Sequence, residues 1–492
     1  MKLSFVFGLL AVAVSSTASA HVSAAAPAKT KAVFYFDTED YTCDRSNDAI
    51  RDIANILKSE GVRGNFNVVG FLALRLLELG RHDVVDALRH HVIGTQTLYH
   101  SRHPDIAEIG DDPSYERAYR RTMAAEARGV GMLEAAFGEG RVVFACPPGN
   151  SVSAVAFDVY SDLGILFNAA TGFYDDSAAE GKAYSSKTYS NGLLVRRGCR
   201  VGGLWYFNQY HLPYYSSFTL EHLLPANGRP CPDFNAILDR LAKFDYAGLY
   251  MHPHMALKLK HWDGHNYRHG NNCEWRKWMQ VEDRDPADTA VFYERLKAFI
   301  RAMKANPRFE ITDIARIAGE LKPRRTITKA DIPSIRASLA QDFTAIGDPA
   351  SWSVADVFQA AVRLLRGEGE RAPGKVYGFL ERPRGVSAEL QVHADDLRSA
   401  AARLDLGTFL PPEIEVGGRL IGPADFLFAA LEVLETGARE VKVSPREQLG
   451  SFKEIPTVES MKISGAWVHT KEFRDEHLSE RLRLQLWTLR FE

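Results

Sequence analysis

Acidic residues and histidines come just after two apolar runs in this sequence: Asp37, Glu39 and Asp40 after VFYF, and His252 and His254 after GLYM. Two further histidines, His100 and His103, lie in LYHSRHPD. Hydrolysis of an amide or ester at neutral pH requires an activated water, a stabiliser for the oxyanion and an acid for the leaving group. A bound divalent cation supplies the first two, and zinc in such sites takes three ligands from His, Asp and Glu. These residue types therefore favour a hydrolytic metal site.

The segments that carry these residues alternate between strand and helix patterns. KAVFYFDTED is apolar and β-rich, and SNDAIRDIANILKSEG has helical spacing. Further strand candidates are VRGNFNVVG, VIGTQT, RVVFACPPGN, ILFNAAT and YAGLYMH. This alternation continues to about residue 320 and predicts a parallel α/β domain, with a barrel as one form of it. Because the carboxyl ends of parallel strands form the active-site face, the acids and histidines should meet there.

A chain of 492 residues is long enough for more than one domain. The polar, proline-containing segment 321–334 predicts a boundary near residue 325. Beyond it we expect a mainly helical module over 335–450, in which Trp352–Leu365 and Ile421–Leu434 share Ala, Asp, Ala, Ala and Leu in register. Two degenerate repeats or two unrelated amphipathic helices explain this similarity. We expect the C-terminal extension, 451–492, to pack on one of the domains.

The first twenty residues have the features of a secretory signal peptide. Lys2 precedes a short apolar core, and residues 18–20 are small. We expect cleavage there, a tether over 21–30 and a secreted or periplasmic protein without a transmembrane segment, since no later stretch approaches ~20 apolar residues. The net charge of -2 does not indicate a nucleic-acid partner. The five cysteines form no CxxC pair, so one or two disulfides are possible and at least one thiol stays unpaired.

The order of these motifs resembles that of the NodB-homology polysaccharide deacetylases, also called carbohydrate esterase family 4. VRGNFNVVG is similar to the family's second strand, and HPHMALKLKHWDGHNYRHGNNCEW is similar to a stretch of a secreted bacterial subgroup with a helical C-terminal extension. The resemblance implies a distorted parallel (β/α) barrel over 31–322, followed by a smaller, mainly α-helical domain. It also implies removal of N- or O-acetyl groups from an extracellular polysaccharide, with a divalent metal, most compatibly zinc.

The resemblance implies a role for each matching residue. Asp37 matches the catalytic base, Glu39 the acidic metal ligand, and His100 the second histidine ligand. His252 matches the acid that protonates the leaving group. Because the acidic stretch is DTED, Asp40 remains an alternative to Glu39 as the ligand.

Two positions depart from the family pattern. Gln96 occupies the place of the first histidine ligand, and a neutral amide oxygen is a poorer zinc ligand than imidazole. Cys146 occupies about the place of an arginine that orients the base. We therefore expect His103 to replace the missing ligand. The alternative hypothesis is a catalytically weakened or inactive relative that binds carbohydrate.

Two residues are candidates for substrate binding. Pro148 lies in the proline-containing strand that shapes the family's groove, and Trp262 is a candidate platform for sugar stacking. Trp262 lies in a segment in which His261, His265 and His269 recur every four residues. On a helix they would share one face, but the glycines and asparagines between them favour an extended active-site loop.

Overall fold

The computed structural model describes residues 29–148, 153–165, 167–168, 200–201, 204–206, 215–225, 230–243, 246–320, 325–346, 352–450, 470, 472–473 and 477–488. The predicted signal peptide (1–20), most of the predicted tether (21–30) and Cys199 lie outside these residues.

The strands of the described residues are β1 Thr30–Thr38, β2 Asn65–Val68, β3 Val92–Thr95, β4 Val142–Ala145, β5 Phe167–Asn168, β6 Arg200–Val201, β7 Leu204–Tyr206, β8 Tyr215–Thr219, β9 Tyr246–Met251, β10 Phe309–Thr312, β11 Leu390–His393, β12 Ile414–Val416, β13 Arg419–Ile421 and β14 Glu440–Val443. The helices are α1 Ser46–Ser59, α2 Gly70–Glu78, α3 His82–Leu88, α4 Ile106–Gly110, α5 Tyr115–Phe137, α6 Ala154–Asp162, α7 Phe234–Leu241, α8 Asp263–Asn266, α9 Pro286–Ala305, α10 Ile314–Glu320, α11 Ile332–Gln341, α12 Val354–Leu365, α13 Ala394–Arg403, α14 Pro423–Thr436 and α15 Leu478–Leu484.

A parallel sheet forms the centre of the first part of the chain. The strand order is β6-β7-β5-β4-β3-β2-β1-β9-β8, and β10 pairs with the first half of β1. Every described pair in it is parallel except β6 with β7. The five sequence segments predicted as strands after β1 correspond to β2, β3, β4, β5 and β9, so the expectation of an α/β fold with a parallel sheet is confirmed. The arrangement is that of a distorted (β/α) barrel.

Strand β1 lies inside the sheet and is buried on both faces. Its residues Val33, Phe34 and Phe36 have no exposed surface, and Tyr35 has almost none. A strand covered on both sides needs apolar residues at successive positions, which is why VFYF lacks the alternation of a half-exposed strand. The apolar run ends at Asp37, where the strand reaches the edge of the sheet.

The second part of the chain is a helical module with two small antiparallel ribbons, β11 with β14 and β12 with β13. The similar segments noted in the sequence form α12 and α14, which pack against each other. In each, an aspartate accepts a hydrogen bond from the backbone amide three residues earlier, at the helix start: Asp356 from Ser353 and Asp425 from Gly422. The repeated residues therefore specify a helix start and a buried face.

The described part of the C-terminal extension contacts both parts of the chain. Gln485 donates to the carbonyl of Ala154 in the first part over 3.1 Å, and the buried indole of Trp487 donates to the carbonyl of Gln448 in the module over 3.0 Å. None of the described helices is long and apolar enough to cross a lipid bilayer. The four described cysteines, Cys43, Cys146, Cys231 and Cys273, form no disulfide bond with one another.

Candidate active site

The candidate site lies at the carboxyl edge of neighbouring strands β1 and β9. Asp37 is near the end of β1, Glu39 follows that strand, and His252 directly follows β9. Nε2 of His252 lies 3.9 Å from Oδ2 of Asp37 and 4.0 Å from Oε1 of Glu39. The structure thus brings together three residues that the sequence placed at this edge.

Glu39 is the centre of the site, and the loop after β3 supplies two of its partners. Nε2 of His100 lies 2.7 Å from Oε2 of Glu39, and Nε2 of Gln96 donates to the same oxygen over 3.2 Å. The indole of Trp262 donates to Oε1 over 3.0 Å. These contacts orient the buried carboxylate from two sides.

The loop that carries Gln96 and His100 is held by helices on its outer side. The amides of Gly70 and Phe71 at the start of α2 donate to the carbonyls of Thr97 and Leu98. Gly129 in α5 packs so closely that a Cβ there would lie 3.1 Å from Cα of Leu98. Thr97 and His100 have φ of 64° and 57°, a left-handed conformation that few non-glycine residues adopt. The surrounding helices thus impose the conformation that directs His100 at Glu39.

Asp37 is oriented by an amide. Nδ2 of Asn67, in β2, lies 3.3 Å from Oδ1 of Asp37 and 3.1 Å from the carbonyl oxygen of Cys146. The thiol of Cys146 is buried, and burial together with the nearby Asp37 raises the pKa of Cys146 well above its ordinary value. The thiol therefore stays protonated, and Asn67 is a side chain that donates to Asp37.

His252 is held by an acid outside the predicted set. Oε1 of Glu221, in the helical turn after β8, lies 2.8 Å from Nδ1 of His252 and accepts a hydrogen bond from its backbone amide over 3.1 Å. The hydroxyl of Tyr250 lies 2.8 Å from Nε2. The ring is therefore fixed with Nε2 towards Asp37 and Glu39.

Burial and histidine contacts set the charges of the site. Burial raises the pKa of Asp37 to about 6, against the effect of His252. Burial also opposes the charge of Glu39, but His100 and His252 hold the pKa of Glu39 well below its ordinary value. Burial disfavours the charged ring of His252, but Glu39 and Glu221 outweigh it and raise the pKa of His252 to about 10. The histidines thus keep Glu39 ionised, whereas burial outweighs them at Asp37.

Two further histidines complete the cluster. The ring of His261 lies 4.5 Å from that of His252 between centroids, and His254 lies 5.6 Å from His252 and 5.4 Å from His261. Glu39, His252 and His261 each have a ligand atom within 4.8 Å of the others. His265 and His269 do not share a helix with His261, since α8 spans only Asp263–Asn266 and His269 has a φ of 56°. The three histidines therefore do not form one face of a helix, and the segment consists of short helical turns joined by loops.

The ring of His103 is directed away from Glu39. Its Nδ1 is 2.8 Å from Oε2 of Glu108, and its Nε2 is 3.1 Å from the carbonyl oxygen of Tyr267. Both ring nitrogens are thus engaged away from Glu39, and α4 begins directly after this segment. The structure does not bring His103 to the predicted metal site.

The remaining predicted residues, Asp40, Trp262 and Pro148, are all buried. Asp40 accepts hydrogen bonds from Thr42 and Ser46, so Glu39 is the acid that faces the histidines. Trp262 has no exposed surface, and Tyr41 packs against its ring, which leaves no face for a sugar to stack on in this structure. Pro148 is buried after β4.

Sequence reasoning did not identify Asn67 or Glu221 as site residues. Asn67 has a signal in the sequence, because it is polar within a strand whose neighbours are apolar. Glu221 follows a strand as Glu39 does, but β8 was not recognised. Asp263, whose Oδ2 accepts from Ser101 over 2.7 Å, was also missed. Ser101 in turn lies 2.6 Å from Nδ1 of His100 and fixes that ring.

No protein-family model matches the sequence, and no curated protein matches it. Solved structures similar to the chain include a putative polysaccharide deacetylase from Mycobacterium smegmatis, with 15% identity, a TM-score of 0.36 and coverage of 62% of this chain and 96% of that one. A CE4 family pseudoenzyme from Bacillus anthracis has 14% identity, a TM-score of 0.31 and coverage of 61% and 69%. A family 4 carbohydrate esterase from Streptomyces lividans, in complex with acetate, has 13% identity, a TM-score of 0.29 and coverage of 57% and 91%. We therefore infer function from the side chains of the site.

Proposed function

We propose that this chain is a metal-dependent hydrolase that removes N- or O-acetyl groups from a polysaccharide outside the cytoplasm. The observation that carries the proposal is the pairing of Asp37 with His252, whose Oδ2 and Nε2 lie 3.9 Å apart beside Glu39. A carboxylate and an imidazole facing one space are the groups that move protons in acyl hydrolysis. Acetyl transfer to water leaves glycosidic bonds intact.

The donor set around Glu39 suits a divalent cation, with zinc the most compatible. Imidazole nitrogen and carboxylate oxygen are its common ligands in hydrolytic sites. Two buried groups beside the site, Oε1 of Gln96 and both ring nitrogens of His254, have no hydrogen-bond partner among the described residues. Such groups are expected where an ion or water completes the site. A cation bound there would supply a water of lowered pKa and stabilise the oxyanion.

Asp37 is the residue placed to take a proton from the attacking water. Its raised pKa, about 6, brings it close to neutral pH, where a carboxylate can both accept a proton and release it again. Asn67 donates to Oδ1 and so directs the other oxygen, Oδ2, towards His252. The base is thus aimed into the space in front of Glu39.

The leaving group needs a proton, and two residues face the space from which it is delivered. The family resemblance assigns this step to His252, which Glu221 holds in place. Asp37 can deliver it too, because it has just received one from water. His252 would be the donor if its Nε2 were not a ligand of the cation, and Asp37 would be the donor if it were.

The second candidate function is binding of carbohydrate by a weakened or inactive relative. The observation that favours it is the contact of Gln96 with Glu39, because an amide stands where the family resemblance requires a histidine ligand. The two candidates differ in chemistry, since only the first releases acetate.

The test is acetate release from an oligomer of an acetylated amino sugar. We expect the wild-type chain to release acetate and Asp37→Asn to lower the rate at least a hundredfold, since a positioned base contributes about that much or more. Asp44→Asn is the matched control, because Asp44 lies exposed in the same loop. Binding without acetate release would support the second candidate, and new reducing ends would indicate a glycosidase instead.

A further inference from the structure

We propose that the cation of this site is bound between Glu39, His252 and His261, and that His261 supplies the imidazole that the family's ligand set lacks here. The inference rests on the proposed function and assigns its metal ligands. It replaces the predicted set of Glu39, His100 and His103.

The three side chains already surround one space. Their ligand atoms all lie within 4.8 Å of one another, and the rings of His252 and His261 meet edge to face at 82° with centroids 4.5 Å apart. Zinc bonds of about 2.0–2.1 Å place tetrahedral ligand atoms about 3.3 Å apart. The three atoms therefore need to approach one another by up to about 1.5 Å on binding.

The loop that carries His261 is anchored at the next residue. Trp262 is fully buried and its indole donates to Oε1 of Glu39 over 3.0 Å, so the backbone is fixed beside the carboxylate. His261 itself is exposed at the mouth of the site. Its ring is therefore close to Glu39 yet free to turn towards an arriving cation.

His254 is the independent observation that points to a missing ligand. It is buried, and neither of its ring nitrogens has a hydrogen-bond partner among the described residues. Its ring packs against both His252 and His261, with centroids 5.6 Å and 5.4 Å away. A buried imidazole is left in this state where an ion or its bound water completes its contacts.

The ring nitrogens of His103 and His100, the two histidines of the predicted ligand set, are already engaged by other groups. Glu108 and the carbonyl of Tyr267 engage the two ring nitrogens of His103. His100 contacts Ser101 through Nδ1 and Glu39 through Nε2, so it orients the carboxylate. It acts as a positioning residue, as the partner of a ligand commonly does.

The experiment is titration of the full chain with Co²⁺, followed by visible absorption, which changes when the hydrated ion takes up protein ligands at lower coordination number. We expect one Co²⁺ per chain and an affinity at least tenfold lower in His261→Gln. His265→Gln, a change at an exposed histidine of the same segment, and His103→Gln should bind Co²⁺ as the wild type does. Thermal unfolding of each variant shows that it is folded, and the exposure of His261 makes the change compatible with folding.

Three results would overturn the proposal: wild-type Co²⁺ affinity in His261→Gln, a loss of affinity confined to His103→Gln, or no Co²⁺ binding by the wild type at millimolar concentration. Acetate release separates these failures from a failure of the proposed function. Acetate release with unchanged Co²⁺ binding in His261→Gln rejects the ligand assignment alone. Weakened Co²⁺ binding in that variant, with no acetate released by the wild type, keeps the ligand assignment and rejects the hydrolase.

Discussion

Nε2 of Gln96 donates a hydrogen bond of 3.2 Å to Oε2 of Glu39, at the position where the family resemblance requires a histidine. Nε2 of His100 approaches the same oxygen to 2.7 Å. The amide thus keeps the carboxylate oriented but contributes no imidazole to a cation. Its own Oε1 is buried without a hydrogen-bond partner among the described residues, so the substitution leaves a polar atom unsatisfied.

Gln96→His should raise the affinity of the chain for Co²⁺ by about tenfold or more. The new ring would stand beside Glu39 and His100, so these three side chains would form a second ligand set. Binding should then depend less on His261, which the double variant with His261→Gln measures. Equal Co²⁺ affinities of the wild type and Gln96→His would show that position 96 does not face the ion.

Gly129→Ala should lower the free energy of unfolding by about 1–3 kcal/mol, the usual effect of overpacking. The added methyl group would lie 3.1 Å from Cα of Leu98 and 3.2 Å from its nitrogen, both backbone atoms of the site loop. Because His100 lies two residues further on, the displaced loop should also weaken Co²⁺ binding. Urea unfolding and the Co²⁺ titration measure the two effects.

Gly131→Ala is the matched control in the same helix. A Cβ there would meet no atom within 4 Å, so alanine should stabilise α5 by up to about 1 kcal/mol through its higher helix propensity. If both alanine variants were stabilised alike, close packing of α5 on the site loop would be refuted.

His91 should make folding sensitive to acid. It is fully buried, its Nδ1 accepts from the amide of Gly64 over 3.0 Å, and its Nε2 lies 3.0 Å from the carbonyl oxygen of Ala54. A proton on Nδ1 would break the first bond, and burial lowers the pKa of His91 to about 4. Between pH 6.5 and pH 4 the unfolded chain binds a proton that the folded chain does not, so stability falls as the pH falls. Up to about 3 kcal/mol is lost over this range.

His91→Asn keeps an acceptor near Gly64 and removes the titrating group. The free energy of unfolding of the wild type, minus that of this variant, should therefore decrease from pH 7.5 to pH 4. His82→Gln serves as control, since His82 is exposed at the start of α3. A difference that stays constant with pH would mean that His91 does not titrate in this way.

The fold could be predicted where local pattern determines it. The apolar run before Asp37 and the one before His252 are each long enough to mark a buried parallel strand, and such strands present their carboxyl ends at one edge. The similar starts of α12 and α14 could also be predicted, because a helix start depends on residues close together in the sequence. The ribbons β11–β14 and β12–β13 were missed because at most every second residue in them is buried, so no continuous apolar run marks them.

The site could be predicted only in part, because loops decide which side chains meet. The sequence placed Glu39 and His100 correctly at the edge but could not show that Glu108 holds His103 away from it. It also could not show that Trp262 is buried on Glu39, since the contact joins residues far apart in sequence. Strand position is local information, whereas the direction of a loop depends on what packs behind it.

The central claim is that this chain hydrolyses acetyl groups with the help of a bound cation. The most direct measurement is acetate release from an acetylated amino-sugar oligomer by the full chain, first stripped of metal with a chelator and then supplied with Zn²⁺. We expect no release from the stripped chain and recovery after Zn²⁺ is added, without new reducing ends. Binding of the oligomer with no acetate released, with or without Zn²⁺, would contradict it.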